Sequence, residues 1–209
     1  MLNRTIQKLF GPAAIVLALA ACGDSTGNED SNRGSISFSY SGAESGSFDS
    51  DGEFRRGATT ASTFSAAIID QDGITLIGNE TRTNNRSDLY LMLVPERRGT
   101  TTCTASDFDC EMFGLFFINV SDRDELSDGI FAGSEGSVNV TGLTDNRVRG
   151  TFSLNLEDFE STSGTPAVVR LRSGTFDVPI VTEAELGGAL NRSPAEQAEL
   201  IRVLRARGR

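Results

Sequence analysis

From Gly34 onward the chain reads with a period of two. In Ser35-Ile36-Ser37-Phe38-Ser39-Tyr40-Ser41 the apolar side chains fall on one face of an extended strand and the serines on the other. Arg147 to Glu157 repeats the pattern: Val148, Phe152, Leu154 and Leu156 face one way, and Arg149, Thr151, Ser153, Asn155 and Glu157 the other. Ser137 to Thr141 and Val168 to Arg172 alternate as well. The phase then slips at Ser173-Gly174 before Phe176 and Val178 rejoin the apolar face, which predicts a β-bulge. Ser47 to Phe54 is a weaker segment with a turn at Asp51-Gly52. Ser62 to Ile69 and Ile74 to Gly78 flank Asp70-Gln71-Asp72-Gly73, a hairpin-turn composition. Asp88 to Val94 (DLYLMLV) and Met112 to Val120 (MFGLFFINV) are apolar on both faces, as expected of strands in mid-sheet with cover on two sides. The pattern predicts an all-β domain over 34–181, an antiparallel β-sandwich or up-and-down β-barrel of about eight to ten strands.

The tail, 182–209, predicts one short C-terminal α-helix. Ser193-Pro194-Ala195-Glu196 has the composition of a capping box with proline at the first helical position. Ala198, Leu200, Ile201 and Leu204 then form an apolar stripe, and Arg202, Arg205 and Arg207 suit the negative end of the helix dipole. Such a helix could lie on the domain, trail free, or touch anionic lipid or a partner.

The other end is organised differently. Arg4 and Lys8 precede Leu9–Ala21, a run of small and apolar residues interrupted by Gly11 and Pro12. A helix needs about 20 apolar residues to cross a bilayer, so this shorter run reads as the core of an export signal, 1–21. It ends in Leu19-Ala20-Ala21-Cys22, which resembles the lipobox of bacterial lipoproteins. The resemblance implies cleavage before Cys22 and a lipid on its sulfur. Several acyl chains anchor durably where one alone holds marginally. In that family an Asp directly after the cysteine favours the inner membrane. Here Gly23 takes that place and Asp24 follows, so the resemblance implies the outer membrane, on its periplasmic or surface face. Gly23 to Arg33 carries no bulky apolar residue and reads as a flexible tether after Cys22, with a coil span of roughly 18 Å.

Composition narrows the chemistry. The chain has no His and no Trp, and its one lysine, Lys8, belongs to the export segment. Without His there is no Ser-His-Asp or Cys-His pair and no His-ligated metal. Without Lys there is no Schiff base and no P-loop lysine. After cleavage, 17 arginines face 29 acids, a formal charge of −12, which argues against nucleic acid, whose binding depends on neutralising phosphates. No catalytic residue, metal or cofactor is expected. The expected partners are the membrane, through lipid on Cys22, and an envelope protein.

Val148-Arg149-Gly150-Thr151-Phe152 followed by Gly174-Thr175-Phe176-Asp177-Val178-Pro179 also resembles bacterial envelope lipoproteins that carry one β-rich domain behind a lipobox. That likeness spans Gly136 to Ile180. It implies a similar all-β fold and no particular activity.

Four candidate sites remain. Cys103 and Cys110 close a loop of 8 residues, and a disulfide there would contribute about 2.5 kcal/mol in the chain-entropy model. Asp49-Ser50-Asp51-Gly52, Asp70-Gln71-Asp72-Gly73 and Asp122 to Gly129 have oxygen ligands suited to calcium, but the same spacing is what tight turns require. Glu157, Asp158 and Glu160 at a strand end are candidates for carboxylate hydrolysis, against ordinary solvation. Tyr90, Met92, Phe113, Phe116 and Phe117, among 13 Phe and 2 Tyr, either fill the core or line a barrel cavity for a small apolar ligand.

Overall fold

Alternation becomes antiparallel pairing along nearly the whole described chain. The structure, a computed structural model, describes residues 32–55, 62–71, 73–83, 86–105, 107, 110–121, 128–159, 161 and 166–187. The strands are β1 (Arg33–Gly42), β2 (Gly46–Asp49), β3 (Gly52–Glu53), β4 (Phe64–Asp70), β5 (Gly73–Thr81), β6 (Arg86–Val94), β7 (Gly99–Cys103), β8 (Phe113–Ser121), β9 (Gly129–Thr144), β10 (Arg147–Asp158) and β11 (Val168–Pro179), followed by α1 (Glu183–Gly187). They form one sheet in the order β2-β1-β11-β10-β9-β8-β6-β5-β4, with β3 against β1 and β7 against β9. The sheet curls into a half-barrel, and the described residues are all-β apart from the short helix near the C-terminal side.

The curl brings the two ends of the sheet path together through side chains. Ser50, just past β2, and Ser65 of β4 have their hydroxyls 2.5 Å apart, and Ser65 Oγ also donates to the Ser50 carbonyl at 2.8 Å. Beyond β11, Ile180 makes a parallel bridge to Ala67, and the Val181 N–H donates to the Ala67 carbonyl at 2.8 Å.

Inside the curl lies one apolar cluster drawn from every long strand, including Ile36, Leu76, Met92, Phe116, Leu154 and Leu171. The strands then divide. On β1, β10 and β11 the opposite face carries Ser, Thr, Arg and Asn, largely open to solvent. On β4, β5, β6 and β8 it is apolar too, and Phe64, Ala66, Ile68, Ile77, Leu91 and Leu115 form a second buried cluster. The two segments apolar on both faces, β6 and β8, are neighbours in mid-sheet, as the pattern requires.

The predicted bulge is present. Ser173 has φ 53°, and the registers of β11 with β1 and with β10 both shift there. Gly174 is needed because the Phe152 ring lies against it, where an added Cβ would come within 2.7 Å of ring carbons. Val168–Arg172 and the stretch through Val178 are accordingly one bent strand, since a bulge redirects a strand without ending it. Alternation alone did not reveal two other features. β7, almost all Gly and Thr, is held by its ladder to β9 rather than by an apolar face. α1 holds the chain by Leu186, while the helix predicted from Ser193 lies outside the described residues. So do the export segment, Cys22 and most of the tether.

Candidate functional site

The interior is dominated by rings. Phe38 of β1 stacks on Phe48 of β2 at 4.8 Å between centroids and meets Tyr90 at 4.9 Å, Phe116 at 5.2 Å and Phe152 at 5.8 Å. Tyr90 stacks on Phe152 at 5.4 Å. These separations are those of aromatic pairs in direct contact. The Tyr90 hydroxyl is fully buried and donates to Met92 Sδ at 3.2 Å, a weak acceptor. Burial alone holds its phenol well above the ordinary value. Of the five side chains proposed from sequence as ligand contacts, Tyr90, Met92 and Phe116 share this interior. Phe113 and Phe117 belong to the opposite face of β8, packed against the second cluster. Strand alternation separates them, because 113, 115 and 117 cannot share a face with 116.

Over one end of the ring cluster sits a polar clasp. Arg82, immediately after β5, donates through Nε and Nη2 to Asp88 Oδ2 at 3.0 and 2.7 Å, and through Nη2 to the Ser47 carbonyl at 2.9 Å. The same Nη2 lies 3.1 Å from Glu80 Oε2, which accepts the Asp49 N–H at 3.0 Å. One guanidinium therefore ties β5 and β6 to the β2 edge across the curl.

Asp88 is only 1% exposed, and a bulge feeds its second oxygen. Between the pairs Ser87↔Val120 and Leu89↔Phe117, β8 has two residues where β6 has one, Asp88. Asn119, with φ 53°, a left-handed conformation Asn tolerates, turns its N–H onto Asp88 Oδ1 at 2.8 Å. Its side-chain amide donates to Asp128 Oδ2 at 3.0 Å, while Arg86 Nη1 donates to Asp128 Oδ1 at 2.9 Å. Every Asp88 oxygen thus receives a donor.

The electrostatics follow from partial burial. Desolvation, aided by the Asp88 charge, raises the Tyr40 phenol, whose ring packs 5.1 Å from Phe116. Desolvation also raises the Glu80 carboxyl, against the opposing pull of the Asp49 N–H and Arg82. Desolvation pulls the Arg82 guanidinium down, but hydrogen bonding to Asp88 and the charges of Asp88 and Glu80 outweigh it, and the net shift is upward. With its donors and acceptors matched, the arrangement is built to hold β2 against β5 and β6.

Signals for this clasp were present in the sequence. Asp88 is the one charge in the segment Asp88–Val94, and Glu80 and Arg82 lie at and just beyond the end of the strand before it. Their convergence on Ser47 and Asp49 needs the curl, which no local pattern specifies.

The remaining candidates are placed as follows. Cys103 and Cys110 are joined as a disulfide with their Cα atoms 5.9 Å apart, within the usual range. The bridge spans the point where the edge of β9 changes partner from β7 to β8. Asp51 pairs with Arg33 at 3.0 Å, and Asp49 Oδ1 accepts the Asp51 N–H at 3.2 Å, the hydrogen bonding of a turn. Asp70 and Gly73 close the predicted hairpin, while Asp72, Asp122, Asp124, Glu125 and Glu160 lie outside the described residues. Glu157 is exposed and Asp158 half-buried at the end of β10. Among the described residues no helix is long and apolar enough to cross a membrane. No protein-family model, curated protein or solved structure matches the chain.

Proposed function

We propose that this chain is a lipid-anchored, non-catalytic β domain of the bacterial cell envelope, acting in structure or interaction. The observation that carries this reading is Leu19-Ala20-Ala21-Cys22 at the end of a short apolar run behind Arg4 and Lys8. The outer membrane is the destination implied by Gly23 after the cysteine. Two features of the fold support a structural role over a binding one. The interior rings contact one another, and the polar groups at their end satisfy one another. A second reading, a binder of a small apolar ligand, rests on the apolar surface of Tyr90, Met92 and Phe116, two of them aromatic, which belong to the interior cluster.

Intact-mass spectrometry of the protein extracted from its native membrane tests both. The expected species lacks residues 1–21, carries acyl groups on Cys22, and has Cys103 and Cys110 oxidised. A Cys22→Ser variant that stayed with the membrane as firmly as the parent would refute the anchor. A stoichiometric apolar molecule retained by the protein would favour the second reading.

A further inference from the structure

The outer face of β1, β11, β10 and β9 is polar, and its charge runs against that of the chain. Its cations are Arg33, Arg147, Arg149, Arg170 and Arg172, and its carboxylates are Glu135, Glu157 and Asp177. The rest of the sequence after residue 21 holds 12 arginines against 26 acids. A surface with more arginine than acid therefore sits on an otherwise strongly acidic molecule.

The arginines are set in place by the strands. Arg147 and Arg149 hold Asp177 between them, with Arg149 Nε 3.0 Å from Oδ2, so the trio keeps one net positive charge. Arg172 donates through Nη1 to the Leu171 carbonyl at 2.9 Å and through Nη2 to Asn155 Oδ1 at 3.0 Å. Among the described residues neither Arg172 nor Arg170 beside it has a carboxylate partner. The bulge at Ser173, φ 53°, sends two consecutive side chains, Arg172 and Ser173, to the same exposed side. From Arg147 to Arg170, which faces Asn155, the row extends about 27 Å along β10. Ser37, Thr151, Ser153 and Thr175 stand among the arginines and are uncharged.

We infer that this face is a second membrane contact, laid against the anionic phospholipid headgroups of the bilayer that holds the lipid on Cys22. The inference rests on the lipid-anchored reading above. Two observations select headgroups as the occupant. The chain that leads from the anchor enters on this face: Arg33 opens β1, and its carbonyl accepts from Arg147 Nη2 at 3.0 Å. Eleven residue steps separate Arg33 from Cys22, so it stays within about 40 Å of the lipidated residue. The second observation is charge. An anionic membrane surface attracts arginines brought near it and repels the acidic remainder of the domain. A domain held this close turns its arginine-rich side inward. The contact is electrostatic, so salt screens it over roughly 10 Å.

Lipid quenching of the lipidated full chain in vesicles tests it. A fluorophore is attached at Thr151→Cys, in the middle of the face, or at Ile69→Cys, an exposed position on β4. The vesicles are phosphatidylcholine with about 30% phosphatidylglycerol and a headgroup-spin-labelled lipid as quencher. Quenching at 151 is expected to exceed that at 69 by about threefold, and the excess to vanish in phosphatidylcholine alone or at about 0.5 M salt. Arg170→Gln with Arg172→Gln is expected to remove half of the excess or more. Equal quenching at the two positions would overturn the inference. So would quenching at 151 that is indifferent to phosphatidylglycerol, salt and the double variant. Flotation with phosphatidylcholine vesicles reports the anchor separately. A parent chain that fails to float would overturn the anchor and this inference together, whereas a chain that floats with equal quenching overturns this inference alone.

Discussion

Two halves of one sheet face outward in different ways. β1, β11 and β10 present Ser37, Thr151, Ser153, Arg170 and Thr175 to solvent and bury only their inner faces. β8, β6, β5 and β4 bury both. The strands of both halves pair antiparallel with one another, so the difference lies in side chains. On the first half a strand gains its hydrophobic stabilisation from every second residue. On the second nearly every residue contributes, at roughly 25 cal/mol per Å² removed from water. The second half therefore depends on something lying over it, and the first does not.

The largest test of that contrast is a charge placed on each outer face. Leu115→Asp should cost more than about 4 kcal/mol, or abolish folding, because it buries an unpaired carboxylate, whereas Thr151→Asp should stay within about 0.5 kcal/mol. Urea denaturation of both variants measures the gap; equal costs would erase the distinction between the halves.

Next in size is the clasp that holds the β2 edge to the apolar-backed half. Asp88→Ala leaves the Asn119 N–H without its acceptor and takes from Arg82 its nearest partner, and should cost about 3 kcal/mol in the same assay. The disulfide lies apart from β5 and β6, at the edge of β9. Replacing both Cys103 and Cys110 by Ser should cost about 2.5 kcal/mol while leaving amide exchange in β5 and β6 unchanged. Tyr90→Phe should change stability by less than about 1 kcal/mol, since its hydroxyl loses only a thioether acceptor. A large loss there would mean that the phenol has a further role.

The smallest effect is a pH dependence. The carboxyl of Glu80 is raised in the folded chain above its ordinary value of 4.5 by desolvation. Folding therefore favours its protonated form. That contribution is full below the ordinary value and is lost as pH rises through the higher folded one. Glu80→Gln should flatten the decline in stability just above pH 4.5, and an unchanged slope would assign it to other groups.

Much of this contrast was legible in the sequence, because alternation states directly which faces are wet. Ile36-Ser-Phe38-Ser-Tyr40 and the run from Val148 to Leu156 announced one buried face, and DLYLMLV announced two. The bulge at Ser173-Gly174 showed as a slip in phase. Less visible were features set by pairing partners. β7 is a strand because β9 lies beside it, and Asn119 is left-handed because Asp88 faces a bulge. Tyr90 and Phe116 meet Phe38 only through the curl, and Phe113 and Phe117 part from them only through the pleat.

The central claim is that the second half keeps both of its faces dry within one chain. Hydroxyl-radical footprinting of the dilute monomer tests it at single residues. Leu91 and Leu115 should be as protected as Leu154 and Leu156 of the interior, with Ile69, 38% exposed, as the reactive standard. Reactivity of Leu91 and Leu115 matching that of Ile69 in the monomer would contradict the account.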